Sequence, residues 1–291
     1  MSTESIKFSA TDGVALTGYI NKGETKTDKI LIEIHGMTSN CYKKRENIIA
    51  KKVEEIGIDT ICFNTRGSEI VKYIKYGDGR KTFAGTAYEN IEESYCDIIG
   101  VIEYALSLGY KSIYLQGHSL GATKVVYVYS KMQKETNELL KYIKGIILLS
   151  LVDIPGMIKA FAKPEIIKYA EDKENKNELL DFMPNGSFIH PISVKTFLQY
   201  AKYNKNIDFA RYGEENDEFE ILNNINVPLF MRWGDTNELI KRGAKEQAEF
   251  MNRKIINHKK DIAYIKNCDH SYTKKEDELA EEIFRFLDSQ E

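Results

Sequence analysis

Residues 116–122 read QGHSLGA and follow directly on the apolar run SIYL (112–115), so a serine stands between two glycines where a strand gives way to a helix. A turn that abrupt strains the backbone of Ser119 and pushes its hydroxyl above the sheet. The residues two before and two after must then be small, because strand and helix backbones crowd there, and Gly117 and Gly121 meet that demand. As a string, G-x-S-x-G arises by chance roughly one time in ten in a chain of this length. The strand before it and the helix after it carry the reading, which makes Ser119 a nucleophile for acyl transfer. The first amide of the new helix has no intrahelical acceptor, so the Leu120 N–H is expected to help hold an oxyanion.

A serine hydroxyl is barely nucleophilic alone and needs a base to take its proton. Of the five histidines, His118 adjoins the nucleophile and is expected to point aside, and His35 belongs to a His-Gly turn. His190 lies in a long insertion (154–222), and His258 in the basic run NHKK. His270, in NCDHSY between the last strand and the last helix, sits where an open sheet presents its loops beside the serine turn. It is the expected base. A second oxyanion donor is expected from an early strand-to-helix loop. IEIHGMTSN (32–40) fits, with the Met37 N–H as candidate and Thr38 next.

The chain that must position these groups has 291 residues, 42% of them hydrophobic and 29% charged, with a net charge of −3. That allows one large α/β domain with a full core, or two modest domains. Lys and Arg are spread along the length, which argues against a nucleic-acid footprint. No apolar run approaches the roughly 20 residues that span a bilayer, and the N-terminus MSTESIKFSATDG has no apolar core of a signal peptide. Cys41, Cys62, Cys96 and Cys268 are scattered and apart from the histidines, so neither a disulfide nor a zinc site is expected. Free thiols suit a cytoplasmic location.

Strand-like runs at 6–10 and 14–20 flank Thr11-Asp12-Gly13 as a hairpin. Further strands are expected at 29–36, 58–63, 112–116, 145–152, 228–233 and 262–266, and helices at 46–56, 88–109, about 120–141 and 276–287. Apolar strands alternating with helices predict a mostly parallel sheet covered on both faces. Core segments 1–153 and 223–291 are interrupted by 154–222, too long for a loop and patterned as short helices: MIKAFA, EIIKYAED, NELLDFM and VKTFLQYAKYN. An insertion of that size is expected to act as a lid. Its Met157, Phe161, Phe182, Met183, Phe188, Phe197, Tyr200 and Tyr203 suit an apolar acyl or aryl pocket, plain core, or a homodimer contact.

Together HGMTSN, FNTRGSE (63–69) and GHSLG, with the order of nucleophile, insertion and C-terminal histidine, resemble the α/β-hydrolase superfamily over nearly the whole chain. The resemblance implies that fold, with a helical cap between its sixth and seventh strands, a catalytic triad, no metal or organic cofactor, and hydrolysis of an ester, thioester, amide or related bond. The family usually carries G-x-x-D after its seventh strand, the Asp holding the histidine. Here the stretch is WGDTNELI (233–240), with Asn237 at that place. A neutral amide cannot stabilise the imidazolium formed during attack, so the charge must come from Glu238, Asp235 or Asp153, in that order of preference. The resulting expectation is a carboxylesterase acting on a small-molecule ester of a hydrophobic acyl or aryl group. A thioesterase, a peptidase and a catalytically weak ligand-binding relative stay open.

Overall fold

A computed structural model describes residues 1–202, 204–238, 240 and 242–290. Strands β1 (Ser2–Ser9) and β2 (Ala15–Lys22) form the expected hairpin. After β3 (Lys29–Ile34) come α1 (Lys44–Glu54) and β4 (Asp59–Asn64). A small hairpin follows, β5 (Lys72–Lys75) and β6 (Lys81–Ala84). Then α2 (Ser94–Ser107), β7 (Ser112–His118), α3 (Leu120–Lys134) and β8 (Ile143–Leu149) alternate. The insertion carries α4 (Ile154–Ile158), α5 (Pro164–Asn175), α6 (Val194–Ala201) and α7 (Glu220–Asn223). The chain closes with β9 (Leu229–Gly234), α8 (Ala244–Lys254), β10 (Lys260–Ile265) and α9 (Glu276–Asp288).

Among the described residues, eight strands form one sheet in the order β1-β2-β4-β3-β7-β8-β9-β10, parallel from β4 onward. Because successive strand residues face opposite sides, Ile30, Ile32, Ile113, Leu115, Ile146 and Leu148 pack on one face with α2, α3 and α8. Leu31, Tyr114, Ile147, Leu149 and Phe230 pack on the other with α1 and α9. Both faces are covered, which is why these strands read as unbroken apolar runs. Strand order reverses between β3 and β7, since the chain runs from β3 out to β4 and returns to β7 on the other side of β3. Loops at the C-terminal ends of such neighbours open a crevice at the switch point. Pairing of Ile34 with Gly117 brings the ends of β3 and β7 side by side there.

Several elements differ from expectation. The predicted helix 88–109 begins at Ser94, because the Asn90 side chain accepts from Glu92 N–H and caps a separate 3-10 turn, Ile91–Glu93. Helix α3 stops at Lys134, where Thr136 turns left-handed (φ 50°), and residues up to 142 form another 3-10 turn. NELLDFM is a turn rather than a helix: Asn177 is left-handed (φ 59°), which terminates α5, and Pro184 follows. The β5–β6 hairpin has no counterpart among the expected strands, although KYIKYGDGRKTFA alternates around a Gly79 at φ 89°.

The insertion has its own apolar cluster, in which Met183, Phe188, Phe197 and Tyr200 are buried with Ile154 and Val194. Phe209, Tyr212, Phe219 and Leu222 instead join the core beneath the sheet. Of the residues singled out in sequence, Met183, Phe188, Phe197 and Tyr200 are therefore packing groups. Met157 and Phe161 are half-buried, Phe182 is exposed beside Tyr88, and Tyr203 lies outside the described residues. No helix among the described residues is long and apolar enough to cross a membrane.

Candidate active site

Strand β7 passes into α3 through Ser119, whose φ of 55° and ψ of −124° are outside the ordinary regions for a side-chain-bearing residue. The turn is tight because its neighbours are glycine. A Cβ on Gly117 would lie 2.4 Å from the Gly121 carbonyl oxygen, and one on Gly121 would lie 2.2 Å from that of Ile34. Neither has anywhere to go.

The Ser119 hydroxyl lies 2.9 Å from His270 Nε2, and His270 Nδ1 lies 2.6 Å from Glu238 Oε2. A carboxylate only accepts, so Nδ1 carries the imidazole proton and Nε2 is left to accept from the serine. Residues 119, 238 and 270 come together because β7, β9 and β10 all end at the same rim, with β8 between the first two. Glu238 is almost fully buried. Its second oxygen accepts from Gly234 N–H at 2.8 Å and from the Ser150 hydroxyl at 2.5 Å.

Glu238 is the carboxylate that meets His270, and the other two candidates do other work. Asp235 accepts from Cys268 N–H at 3.0 Å, a bond that holds its carboxyl below the usual range, and so ties the loop after β9 to the loop carrying His270. Asp153 caps α4 through Gly156 N–H at 2.7 Å, and burial pushes its carboxyl up. Asn237 is a turn residue at φ 55°, a conformation asparagine tolerates better than most. By turning the chain there, it leaves the longer side chain of the next residue to reach the imidazole.

The loop after β3 is fixed by His35. Thr65 N–H donates to its Nε2 at 3.1 Å, so the proton is on Nδ1, which donates to Gly36 O at 2.9 Å. Burial, reinforced by the Lys124 charge, depresses the His35 pKa to about 3, and the ring stays neutral. In the same loop Thr38 N–H is taken by Thr86 Oγ1 at 2.7 Å. The Met37 and Leu120 amides donate to no acceptor among the described residues. Of the three candidate oxyanion donors, those two are available and Thr38 is not.

His118 does not simply pack aside. Its Nε2–H donates to the His270 carbonyl at 2.7 Å, with the rings 5.0 Å apart, and burial keeps it neutral. Tyr272 is fully buried and donates to the Arg232 carbonyl at 2.8 Å, which pins the histidine loop from its other side. Sequence reasoning missed Ser150 and Tyr272 because a serine after an apolar run and a tyrosine in a loop carry no signal of their partners.

Ser119 and His270 open into a cavity of about 490 Å³, bordered by the 36–39 loop, Lys43 and His190. A larger cavity of about 580 Å³ adjoins it beneath the insertion and does not contain the serine.

No protein-family model matches the sequence, and no curated protein matches it. Solved structures do match. Est1E from Butyrivibrio proteoclasticus, with ferulic acid bound, superposes with a TM-score of 0.68 at 17% identity, over 97% of this chain and 98% of that one. Mouse alpha/beta hydrolase domain-containing protein 10 gives a TM-score of 0.63 at 15% identity over 100% of both chains. The alpha/beta hydrolase GrgF from Penicillium sp. sh18 gives 0.68 at 14% identity, over 100% of this chain and 99% of that one. The chain has the α/β-hydrolase fold. In an α/β-hydrolase fold, a serine at the end of the central strand and a histidine after the last strand face one crevice, as Ser119 and His270 do here.

Proposed function

We propose that the protein is a serine hydrolase, a carboxylesterase for small-to-medium hydrophobic acyl or aryl esters. The observation that carries this reading is the hydrogen-bonded chain from Ser119 Oγ through His270 to Glu238, at 2.9 and 2.6 Å. Hydroxyl, imidazole and carboxylate in that order are what nucleophilic acyl transfer needs.

In this mechanism His270 Nε2 takes the Ser119 proton as Oγ attacks the ester carbonyl carbon. The charge that develops on the carbonyl oxygen is held by the Met37 and Leu120 amides. Buried Glu238 stabilises the imidazolium and keeps the ring in the required tautomer. The proton then passes from Nε2 to the departing alkoxide or phenoxide oxygen, the C–O bond breaks, and the acyl group stays on Ser119. His270 next deprotonates water, the resulting hydroxide attacks the acyl carbon, and Ser119 regains the proton as the acid leaves. Segment 154–222 serves as the lid over this site.

The test is turnover of p-nitrophenyl acetate and butyrate. Ferulic acid is bound to the Butyrivibrio neighbour, so a ferulate ester belongs on the panel. Wild type should hydrolyse at least one of these, and Ser119→Ala should lose about three orders of magnitude or more. A fluorophosphonate should label Ser119. Wild type no faster than Ser119→Ala, with no labelling, would end the proposal.

A further inference from the structure

Beside the cavity that holds Ser119 lies the larger one, of about 580 Å³, which has no part in the esterase mechanism so far. Among the described residues its apolar wall includes Pro155, Met157, Ala160, Phe161 and Ile240. The charged groups at its edge are largely engaged: Asp153 caps α4 and Arg211 pairs with Glu214 at 3.2 Å. Lys159 is exposed. A concave space of this size with apolar walls is suited to a small organic group.

Among the described residues the two cavities share one lining residue, Ile189. It is 39% exposed, although Phe188 just before it is buried. Phe188 stacks on Tyr200 at 5.8 Å and meets Phe161 at 5.4 Å, while Ile192 is buried, so the backbone around residue 189 is held although its side chain is not. Below the same partition, Glu238 faces the larger cavity and His270 the smaller.

Resting on the proposed esterase reading, we infer that the larger cavity is the acyl-chain site, that it takes an unbranched aliphatic acyl group of medium length, and that Ile189 is the divider the chain must pass. An acetyl group stays in the Ser119 cavity, whereas an eight- to ten-carbon chain crosses beneath Ile189 and covers Met157 and Phe161.

The experiment compares p-nitrophenyl acetate, butyrate, octanoate and decanoate with wild type, Ile189→Ala, Ile189→Trp and Ala160→Trp. It adds calorimetric binding of butyrate and decanoate to Ser119→Ala, with and without Ala160→Trp. The expected result is a decanoate-to-acetate ratio of kcat/KM that falls at least tenfold in both tryptophan variants and rises in Ile189→Ala. Decanoate should bind at least tenfold more tightly than butyrate, and Ala160→Trp should abolish that difference. Each variant's acetate rate and melting temperature report whether it folds. Unchanged ratios in folded Ala160→Trp, or equal binding of the two acids, overturn the inference. If no ester is turned over but decanoate binds in an Ala160-dependent way, the cavity stands and the esterase reading falls.

Discussion

Ser150 Oγ donates to Glu238 Oε1 across 2.5 Å, at the point where β8 ends in a left-handed residue (φ 49°). The carboxylate facing His270 is thus anchored by a hydroxyl from the neighbouring strand, not only by its own loop. Tyr272 OH already donates to the Arg232 carbonyl, so toward Ser150, 3.0 Å away, it can only accept. The single Ser150 hydrogen goes to the shorter, charged contact.

Ser150→Ala should therefore release one of the two bonds to Glu238 Oε1. Hydrogen bonds to charged groups contribute about 1.5–3 kcal/mol, which as lost transition-state stabilisation is roughly a 10- to 100-fold fall in kcat/KM. The loss should appear in kcat rather than in KM. A variant with normal kcat and only a lower melting temperature would show Ser150 to be structural.

The choice between acidic residues is tested by Glu238→Gln against Asp235→Asn. The first removes the charge 2.6 Å from His270, while the second weakens an acceptor for the Cys268 amide. Asp→Asn at the triad acid of a serine protease lowers kcat about 10⁴-fold, and Glu238→Gln should approach that. Asp235→Asn should cost about tenfold or less, because asparagine still accepts the amide bond. Equal losses would mean that Glu238 has no special role.

Acid should destabilise the fold through His35. Its folded pKa, about 3, lies below the ordinary value of 6.5, so between those limits the unfolded chain binds the extra proton. Stability is therefore complete above about 6.5 and declines as pH falls toward 3, by up to about 1.4 kcal/mol per pH unit for one proton. Urea midpoints measured at several pH values should decline more steeply for wild type than for His35→Gln. Parallel curves would remove His35 as the source.

Gly121→Ala places a methyl group 2.2 Å from a backbone oxygen of β3, in a contact that no side-chain rotation relieves. Overpacking of this kind costs about 3 kcal/mol. The melting temperature should drop by several degrees or more, and fluorophosphonate labelling of Ser119 should be lost as the turn is displaced. A variant with native stability and labelling would mean that the turn is looser than its geometry.

The alternation of apolar strands and helices was legible in sequence because it reflects local burial, and periodicity is a local property. So was the serine turn, since its crowding demands glycine at two fixed offsets, and His270 was singled out because chain order placed its loop at the right end of the sheet. The acid stayed open among Glu238, Asp235 and Asp153. All three lie after strands ending at the same rim, and only the left-handed turn at Asn237 decides which carboxylate faces the imidazole. Ser150 and Tyr272 were invisible, and His118 was expected to point aside, for a related reason: each is tied by a hydrogen bond to a residue that folding alone makes its neighbour. Composition and spacing determine which groups exist and which strand end carries them. The direction of a side chain within a loop depends on backbone torsions that packing from distant segments selects, and that choice belongs to the tertiary structure.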